Sequence, residues 1–493
     1  MRRFTVDSKL AEQYLESPVL SGVDVARLLR ERSISDGTPI YLGDETMMPI
    51  EPLCSWGRNL SYAELSRTTM QDYGRIMARF AAHQASHGRD VVSASESDLV
   101  AYRRQRTQLQ RRPIGVSAWR KESVLLDQFY NFLEKTGHRR QRPVRVAARG
   151  RNPLSPRLRR AMDIRHLTLE QYRYFRDVGL GGQRPDSRID RGFRGWAPHR
   201  SRAGADLALG TGMRWQEWAT VLLPELGIGT ATPGTSVEFT VQACAKYGKA
   251  RGIYVPEESM RSVETYLLLE RPELIAAAAK TLERRHRELF VVSRIDRESG
   301  LVHGVQDGEQ HVFTLAGMPP ILRRITVHEG EFGLEALAVF VCRGGLMPGA
   351  DSWKRYRHAA WRRMVALADE SAPRLPRKRW RWHDLRHTHA LQLLTYLEQQ
   401  LEGAEPDPAA RQRRHLRYLT EHVRRNPLLI VSRRLGHSSP EATYAYLQYT
   451  DDLINEFEEA FSGWIGDQTE EVTYAQIAAH AFALDSQPGQ DLG

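Results

Sequence analysis

Between residues 139 and 165 the chain carries ten arginines, Arg139, Arg140, Arg142, Arg145, Arg149, Arg151, Arg157, Arg159, Arg160 and Arg165, against a single acid, Asp163. Pro143, Gly150, Pro153 and Pro156 interrupt the same stretch. Proline lacks the backbone N–H that a helix interior needs, so the segment is expected to run extended rather than as a packed helix. Ten like charges repel one another unless something anionic lies alongside. A solvated linker would suffice structurally, but a linker that tracks phosphates accounts better for the charge. The segment therefore divides the chain, and 493 residues leave room for about two to four domains of roughly 100–200 residues each.

The overall charge points the same way. There are 71 Lys+Arg against 60 Asp+Glu, a formal excess of +11, which favours an acidic partner such as nucleic acid. Only eight of the basic residues are lysines, so each lysine is worth inspecting. The cysteines, Cys54, Cys244 and Cys342, are three, far apart and in no CxxC spacing. Neither a disulfide framework nor a cysteine zinc site is expected, and a reducing, cytoplasmic setting follows. The opening MRRFTVDSKLAEQYLES has no apolar core of a signal peptide, and no run approaches the roughly 18 apolar residues of a membrane span.

Residues 1–55 mix short apolar patches with Gly, Pro and Asp and carry no motif. From Leu60 the pattern turns helical: Ser61-Tyr62-Ala63-Glu64 has capping-box form, and Tyr73, Ile76, Met77, Phe80 and Ala81 recur at helical spacing. Further helices are expected over about 95–106 and 117–135, the latter stopping at Gly137, so that 56–138 reads as a small helical domain. A larger domain begins near Thr168, where Thr168-Leu169-Glu170-Gln171 again has capping-box spacing. Residues 203–223 read as a buried helix broken by Gly210-Thr211-Gly212. Val237, Phe239 and Val241 alternate as a strand, Tyr247-Gly248-Lys249 turns, and 252–255 returns. Residues 260–290 are expected to be helical and 290–345 to mix short strands with loops. From Trp353 onward helices should dominate.

Four short stretches of the larger domain form an ordered set: Thr211-Gly212-Met213-Arg214-Trp215-Gln216-Glu217; Ala245-Lys246-Tyr247-Gly248-Lys249-Ala250-Arg251; His383-Asp384-Leu385-Arg386-His387-Thr388-His389-Ala390; and Leu435-Gly436-His437-Ser438-Ser439, with Tyr446 nine residues after its histidine. Each alone is weak, and Tyr446 has neighbours Tyr444 and Tyr449 that core aromatics would equally explain. The order Arg, Lys, His-x-x-Arg, Leu-Gly-His, Tyr resembles that of the tyrosine recombinases, the phage-integrase family, over most of residues 60–465.

The resemblance implies an α+β fold, mainly α with a small antiparallel sheet. It further implies a helical, SAM-like core-binding domain and a catalytic domain over 166–465 that close as a C-shaped clamp on double-stranded DNA. It implies a site-specific recombinase or integrase that cuts and rejoins DNA through a 3′-phosphotyrosine bond, in the service of a mobile genetic element. Tyr446 would be the nucleophile. Arg214 and Arg386 would clamp the scissile phosphate, a task suited to planar, permanently charged guanidiniums, and His437 would add a hydrogen bond. Lys246 matches the general acid for the 5′ oxygen, with Lys249 its close competitor. His383 would assist proton transfer at the tyrosine. Glu217, three residues after Arg214, would hold that guanidinium. Lys249, Arg251 and Arg139, Arg140, Arg142, Arg145, Arg149 and Arg151 are candidate DNA contacts. The chemistry needs no cofactor or metal, and His387 and His389 read as helix-packing residues.

After Tyr446, residues Leu453, Ile454, Phe457, Ala460, Phe461 and Trp464 form an apolar stripe. It would either pack on its own domain or, as the resemblance implies, dock on a neighbouring protomer in a homo-tetramer spanning two DNA sites, with room for accessory proteins. The segment after it, 466–493, reads as a tail. Lys246 and His383 stand 137 residues apart and Arg386 and His437 stand 51 apart, so inserted material is expected near 275–350 and 395–425. Two other readings compete: DNA relaxation of the type IB topoisomerase kind, and DNA binding without catalysis.

Overall fold

The computed structural model describes residues 1–8, 10, 24–144, 154, 165–229, 232–296, 298–376, 379–403 and 427–437, with the backbone alone at 26, 397–403 and 427–429. Two compact units divide the chain, Met1–Arg160 and Ala161–Gly493.

The first unit pairs β1 (Arg2–Thr5) antiparallel with β2 (Pro39–Leu42), in register from Arg2↔Leu42 to Thr5↔Pro39. A short helix α1 (Val25–Glu31) lies between them in sequence, and four helices follow: α2 (Leu53–Tyr62), α3 (Arg67–Ser86), α4 (Glu96–Arg104) and α5 (Val116–Lys135). Their apolar faces meet around Trp56, Met77, Phe80, Trp119, Phe129 and Leu133, and Tyr41, Leu53 and Cys54 belong to the same core. Residues 1–55, which show no motif in the sequence, thus supply part of this core. The expected capping box at Ser61 is corrected. Ser61 lies at the end of α2, where its hydroxyl accepts from Ser35 N (2.8 Å) and donates to Ser33 O (2.9 Å), and the next helix is capped by Ser66 instead. Ser95 and Asp98 do form a capping box at the start of α4. The one buried acid of α5, Glu122, is matched by Arg106 (2.6 and 3.0 Å) and by the Tyr102 hydroxyl (3.1 Å), which offsets the cost of burying its charge. Leu154, inside the expected extended linker, is buried in this core, and its carbonyl accepts from Trp119 Nε1 (2.7 Å).

In the second unit α6 (Leu169–Arg173) is opened by the Thr168–Gln171 capping box and continues as π-helix to Leu180. The helix α7 (Pro198–Thr211) is buried almost all round. The expected break at Gly210-Thr211-Gly212 is there: Gly212 closes α7 in the left-handed region (φ 59°), and a short helix α8 (Trp215–Trp218) follows. A hairpin of β3 (Val237–Val241) and β4 (Arg251–Val255) comes next, paired from Val237↔Val255 to Val241↔Arg251. The expected helix over 260–290 is two helices, α9 (Glu257–Leu269) and α10 (Arg271–Arg284), with a strand starting at Phe290.

Residues 290–336 form a five-stranded sheet: β5 (Phe290–Asp296), β6 (Leu301–Gln306), β7 (Glu309–Thr314), β8 (Thr326–Gly330) and β9 (Gly333–Ala336), in the order β7-β6-β5-β8-β9. The fold is α+β as expected, but this sheet is mixed. β5 and β8 run parallel because the helix α11 (Pro320–Arg324) crosses over between the β6–β7 hairpin and β8. Its core, around Phe290, Val302, Met318 and Val341, is separate from that of the surrounding helices. Last come α12 (Ala350–Ala366), α13 (Trp382–Gly403) and α14 (Pro427–Leu435).

A knot of tryptophans fixes the elements that matter below. Trp218 of α8 lies 4.8 Å from Trp353 of α12 and 5.2 Å from Trp382 of α13, ring centre to ring centre, and the last two are 5.5 Å apart. Trp382 Nε1 donates to the Trp353 carbonyl (2.9 Å). Edge-on packing of such large apolar rings sets the start of α13 against α8. No described helix is long and apolar enough to cross a membrane.

Candidate functional site

Three carbonyls at element ends, all reached by guanidiniums, organise the site. Arg386, on the first turns of α13, is buried, and its guanidinium donates to Gly212 O (2.7 Å), just past α7, and to Leu435 O, at the end of α14. Arg214, the residue before α8, donates from Nη2 to Gly436 O (3.3 Å). Cations thereby sit on the carbonyl end of α14, where the helix dipole favours positive charge. The loop at Gly436 requires glycine: its φ is 62°, and an added Cβ would lie 2.8 Å from Arg251 Cδ.

Glu217 joins the second pair. Its buried carboxylate accepts from the Arg214 backbone N (2.6 Å), from Arg214 Nη1 (3.3 Å) and from both Arg251 Nη1 (2.9 Å) and Nη2 (2.5 Å). Burial by itself would raise its pKa, but the Arg251 hydrogen bonds and charge, with those of Arg214, hold the carboxyl below its usual value. Glu217 is thus an anion under two cations, and Arg251, the first residue of β4, ties the lysine hairpin to Arg214.

Between these elements opens a cleft of about 230 Å³ lined by Arg214, Ala245, Lys246, Lys249, Ala250, Arg251, Ser432, Arg433, Gly436 and His437. Lys246 and Lys249 sit on the exposed turn between β3 and β4, where Tyr247 (φ 63°) and Gly248 (φ 64°) are left-handed, and Lys246 Nζ lies 4.8 Å from the Tyr247 ring centre. Arg433 is a cleft residue that the motif reading passed over; its one signal in the sequence is a basic residue one helical turn before His437. His383 and Arg386 are not lining residues, yet both act on it electrostatically. His437 is pushed down to about 3, by lost hydration first and then by Arg386, Arg214 and Arg251. His383, which keeps an exposed edge, is pushed down to about 4 by the same effect with Arg386, Arg214 and Arg381. At neutral pH both rings are uncharged, and the positive charge of the cleft resides on its arginines and lysines.

His387 packs edge-on against His383, ring centres 4.7 Å apart, and is lowered to about 3, chiefly by burial. His389 reaches the other way, its Nδ1 at 2.8 Å from Leu209 O, where it also packs against Gly212. Among the described residues no group of three His, Cys, Asp or Glu is placed to hold a metal ion.

The structure thus brings together Arg214, Glu217, Lys246, Lys249, Arg251, His383, Arg386 and His437, from stretches spread over residues 214–437. Tyr446 lies outside the described residues, as do Arg145, Arg149, Arg151, the stripe from Leu453 to Trp464 and most of 395–425. Of the other basic candidates, Arg140 is exposed, while Arg139 and Arg142 turn back on their own unit. Arg139 donates to Ala94 O (2.8 Å) and Gln141 O (2.6 Å), and Arg142 to Glu134 Oε2 (2.9 Å) and Asn131 Oδ1 (2.5 Å).

Such an arrangement offers a permanently cationic, donor-rich pocket with neutral imidazoles at its edge, suited to a phosphodiester whose charge grows in a transition state. No family model matches the chain, and no curated protein matches it. Among solved structures it is similar to the XerH site-specific recombinase bound to palindromic difH substrate in a post-cleavage complex. That likeness has a TM-score of 0.44 and 14% identity, and covers 93% of this chain and 94% of that one. It is also similar to the Tn1549 transposon integrase in complex with circular intermediate DNA, with a TM-score of 0.41 and 12% identity, covering 79% and 93%.

Proposed function

We propose that this chain is a site-specific DNA recombinase that exchanges phosphodiester bonds through a tyrosine, with Tyr446 as nucleophile. The observation that carries the reading is the convergence of Arg214, Arg251, His437 and the Lys246–Lys249 turn on one cleft, while the buried Arg386 is bonded to the carbonyls of Gly212 and Leu435, close to Arg214 and His437 in the chain. Structural needs alone do not gather two arginines, two lysines and a neutral histidine around open space.

In this reading the scissile phosphate enters the cleft and takes hydrogen bonds from Arg214, Arg386 and His437. The Tyr446 oxygen attacks phosphorus in line, the P–O5′ bond breaks, and the 3′ phosphate stays on the tyrosine. The phenolic proton leaves with help from His383, whose neutral ring can accept it. The departing 5′ oxygen takes a proton from Lys246 or Lys249. Attack by the 5′ hydroxyl of another strand then restores a phosphodiester without loss of bond energy to water. A homo-tetramer on two DNA sites and service to a mobile element belong to the same proposal.

The test is a nicked suicide duplex that lets the short fragment bearing the new 5′ hydroxyl diffuse away, run with DNA that includes the element's own ends. Wild type should accumulate a covalent protein–DNA adduct, and Tyr446→Phe should form none. An adduct undiminished in Tyr446→Phe, or none with wild type, sinks the proposal. Supercoil relaxation without recombinant product would replace it with the topoisomerase reading.

A further inference from the structure

A second row of cations lies outside the cleft. On α12, Trp353, Ala360 and Met364 face the core, and Lys354, His358 and Arg362 follow one another at four-residue spacing on another face, with Arg357 beside them. The segment leading into α13 is pinned along this helix at two points: Trp380 packs on Trp361 (5.7 Å between ring centres), and Trp382 Nε1 bonds the Trp353 carbonyl. Trp380 and Trp382 are buried and Arg379 and Arg381 are exposed, so the alternation of an extended chain turns both arginines outward. The pins lie on either side of Arg357 and His358, and the outward arginines come up against that stretch.

The row is poorly compensated. Arg381 is held by the buried Asp384 (Nε to Oδ1 3.2 Å), whose charge Arg357 also feels, and the side-chain hydrogen bond of Arg357 goes to His358 (2.8 Å). Lys354, Arg362 and Arg379 make no ion pair among the described residues. The groups also feel one another: burial first, then Arg357, Arg379, Lys354 and Arg362, press the His358 imidazole below its ordinary value. Cations held this close with one buried carboxylate among them still repel, and an anion laid across them relieves the repulsion.

We propose that Lys354, Arg357, Arg362 and Arg379 form a second contact strip for the sugar-phosphate backbone of duplex DNA, beyond the phosphate held in the cleft. The inference rests on the recombinase reading and adds to it where the flanking duplex lies. The charges are strung along a helix rather than gathered round a point, which is the layout for a line of phosphates and not for one small anion. Eight residues of helix span about 12 Å, and duplex DNA carries a charge for every ~1.7 Å of its axis, so the strip is long enough to meet several phosphates. The link Arg381-Trp382-His383 makes the strip continuous with the start of α13, which carries His383 and Arg386.

The experiment measures binding of the full chain to a fluorescein-labelled duplex of mixed sequence as salt is raised from about 50 to 200 mM. The triple variant Lys354→Ala, Arg357→Ala, Arg379→Ala should bind at least tenfold more weakly. Its plot of log affinity against log salt should be shallower by about 2 to 3, since each phosphate contact adds roughly 0.9 to the slope. A control triple in the exposed basic run at the end of α10, Arg284→Ala, Arg285→Ala, Arg287→Ala, should leave both unchanged. Wild-type binding with an unaltered slope in the first triple overturns the strip and leaves the recombinase reading standing. Failure of wild type to bind any duplex at about 50 mM salt overturns both. Should the triple not fold, arginine modification of wild type with and without duplex decides: Arg357 and Arg379 should be protected by DNA, and equal modification overturns the proposal.

Discussion

Glu217 has no exposed side-chain surface, yet two guanidiniums converge on it, Arg214 from its own turn and Arg251 from the neighbouring strand. A buried ion of this kind is favourable only while its partners remain, because an unpaired charge keeps its full desolvation cost. Glu217→Gln leaves Arg251 over a neutral amide, half of whose polar surface is itself a donor. The variant should lose about 3 kcal/mol or more of stability, measured by urea denaturation, and an effect near zero would show that the pair is not coupled through the carboxylate. Arg386 makes a different point. Its fork spans Gly212 O and Leu435 O, and a lysine ammonium cannot reach two carbonyls and a phosphate in one plane. Arg386→Lys should slow adduct formation on the suicide duplex by about 10²–10³, the loss typical of one oxyanion donor, while affinity for duplex changes little. Equal loss of both would mark Arg386 as structural only.

At the scale of elements, the β3–β4 hairpin decides between two lysines. Lys246 and Lys249 both face the cleft from a turn whose backbone is left-handed at Tyr247 and Gly248, and nothing in their burial separates them. Chemistry separates them. A substrate whose 5′ bridging oxygen is sulfur has a leaving group that departs without a proton, so loss of the true general acid is rescued by it. Lys246→Ala should cleave the sulfur substrate near the wild-type rate and the ordinary one far more slowly, and Lys249→Ala should show no such difference. The reverse pattern would transfer the role to Lys249.

The hairpin was readable in advance because Val237, Phe239 and Val241 alternate and a glycine-containing turn follows, a local signal. Thr168–Gln171 and the glycine break after α7 were readable for the same reason. Ser61 misled because a Ser-x-x-Glu spacing does not reveal that the helix is ending, with its hydroxyl already committed to Ser33 and Ser35. The five-stranded sheet escaped because its order depends on a parallel β5–β8 pairing across more than 30 residues, which no local pattern encodes. In the candidate site the residue types were legible from their order. Arg251's hold on Glu217 was not, since it joins a strand to a helix across 34 positions.

Over the molecule as a whole the formal excess is +11, and four histidines near the arginines of the site are held neutral. His387 and His437 are pushed down to about 3 and His383 and His389 to about 4, burial leading and the neighbouring cations adding to it. In the unfolded chain the same imidazoles titrate near 6.5. As pH falls below about 6.5 the unfolded state takes up these protons while the folded state does not, so stability drops with falling pH until the folded values near 4 and 3 are reached. His383 keeps an exposed edge and contributes least. The free protein should therefore show a thermal midpoint that declines steadily from pH 7 to pH 5, a range in which ordinary carboxylates are still ionised. Duplex DNA in the cleft would bring phosphate charge beside Arg214, Arg386 and His437 and make protonated histidine easier to hold, so the decline should flatten in the complex. Scanning calorimetry at both pH values, with and without duplex, measures the difference. An identical slope in the two states would mean that the phosphates do not reach these histidines.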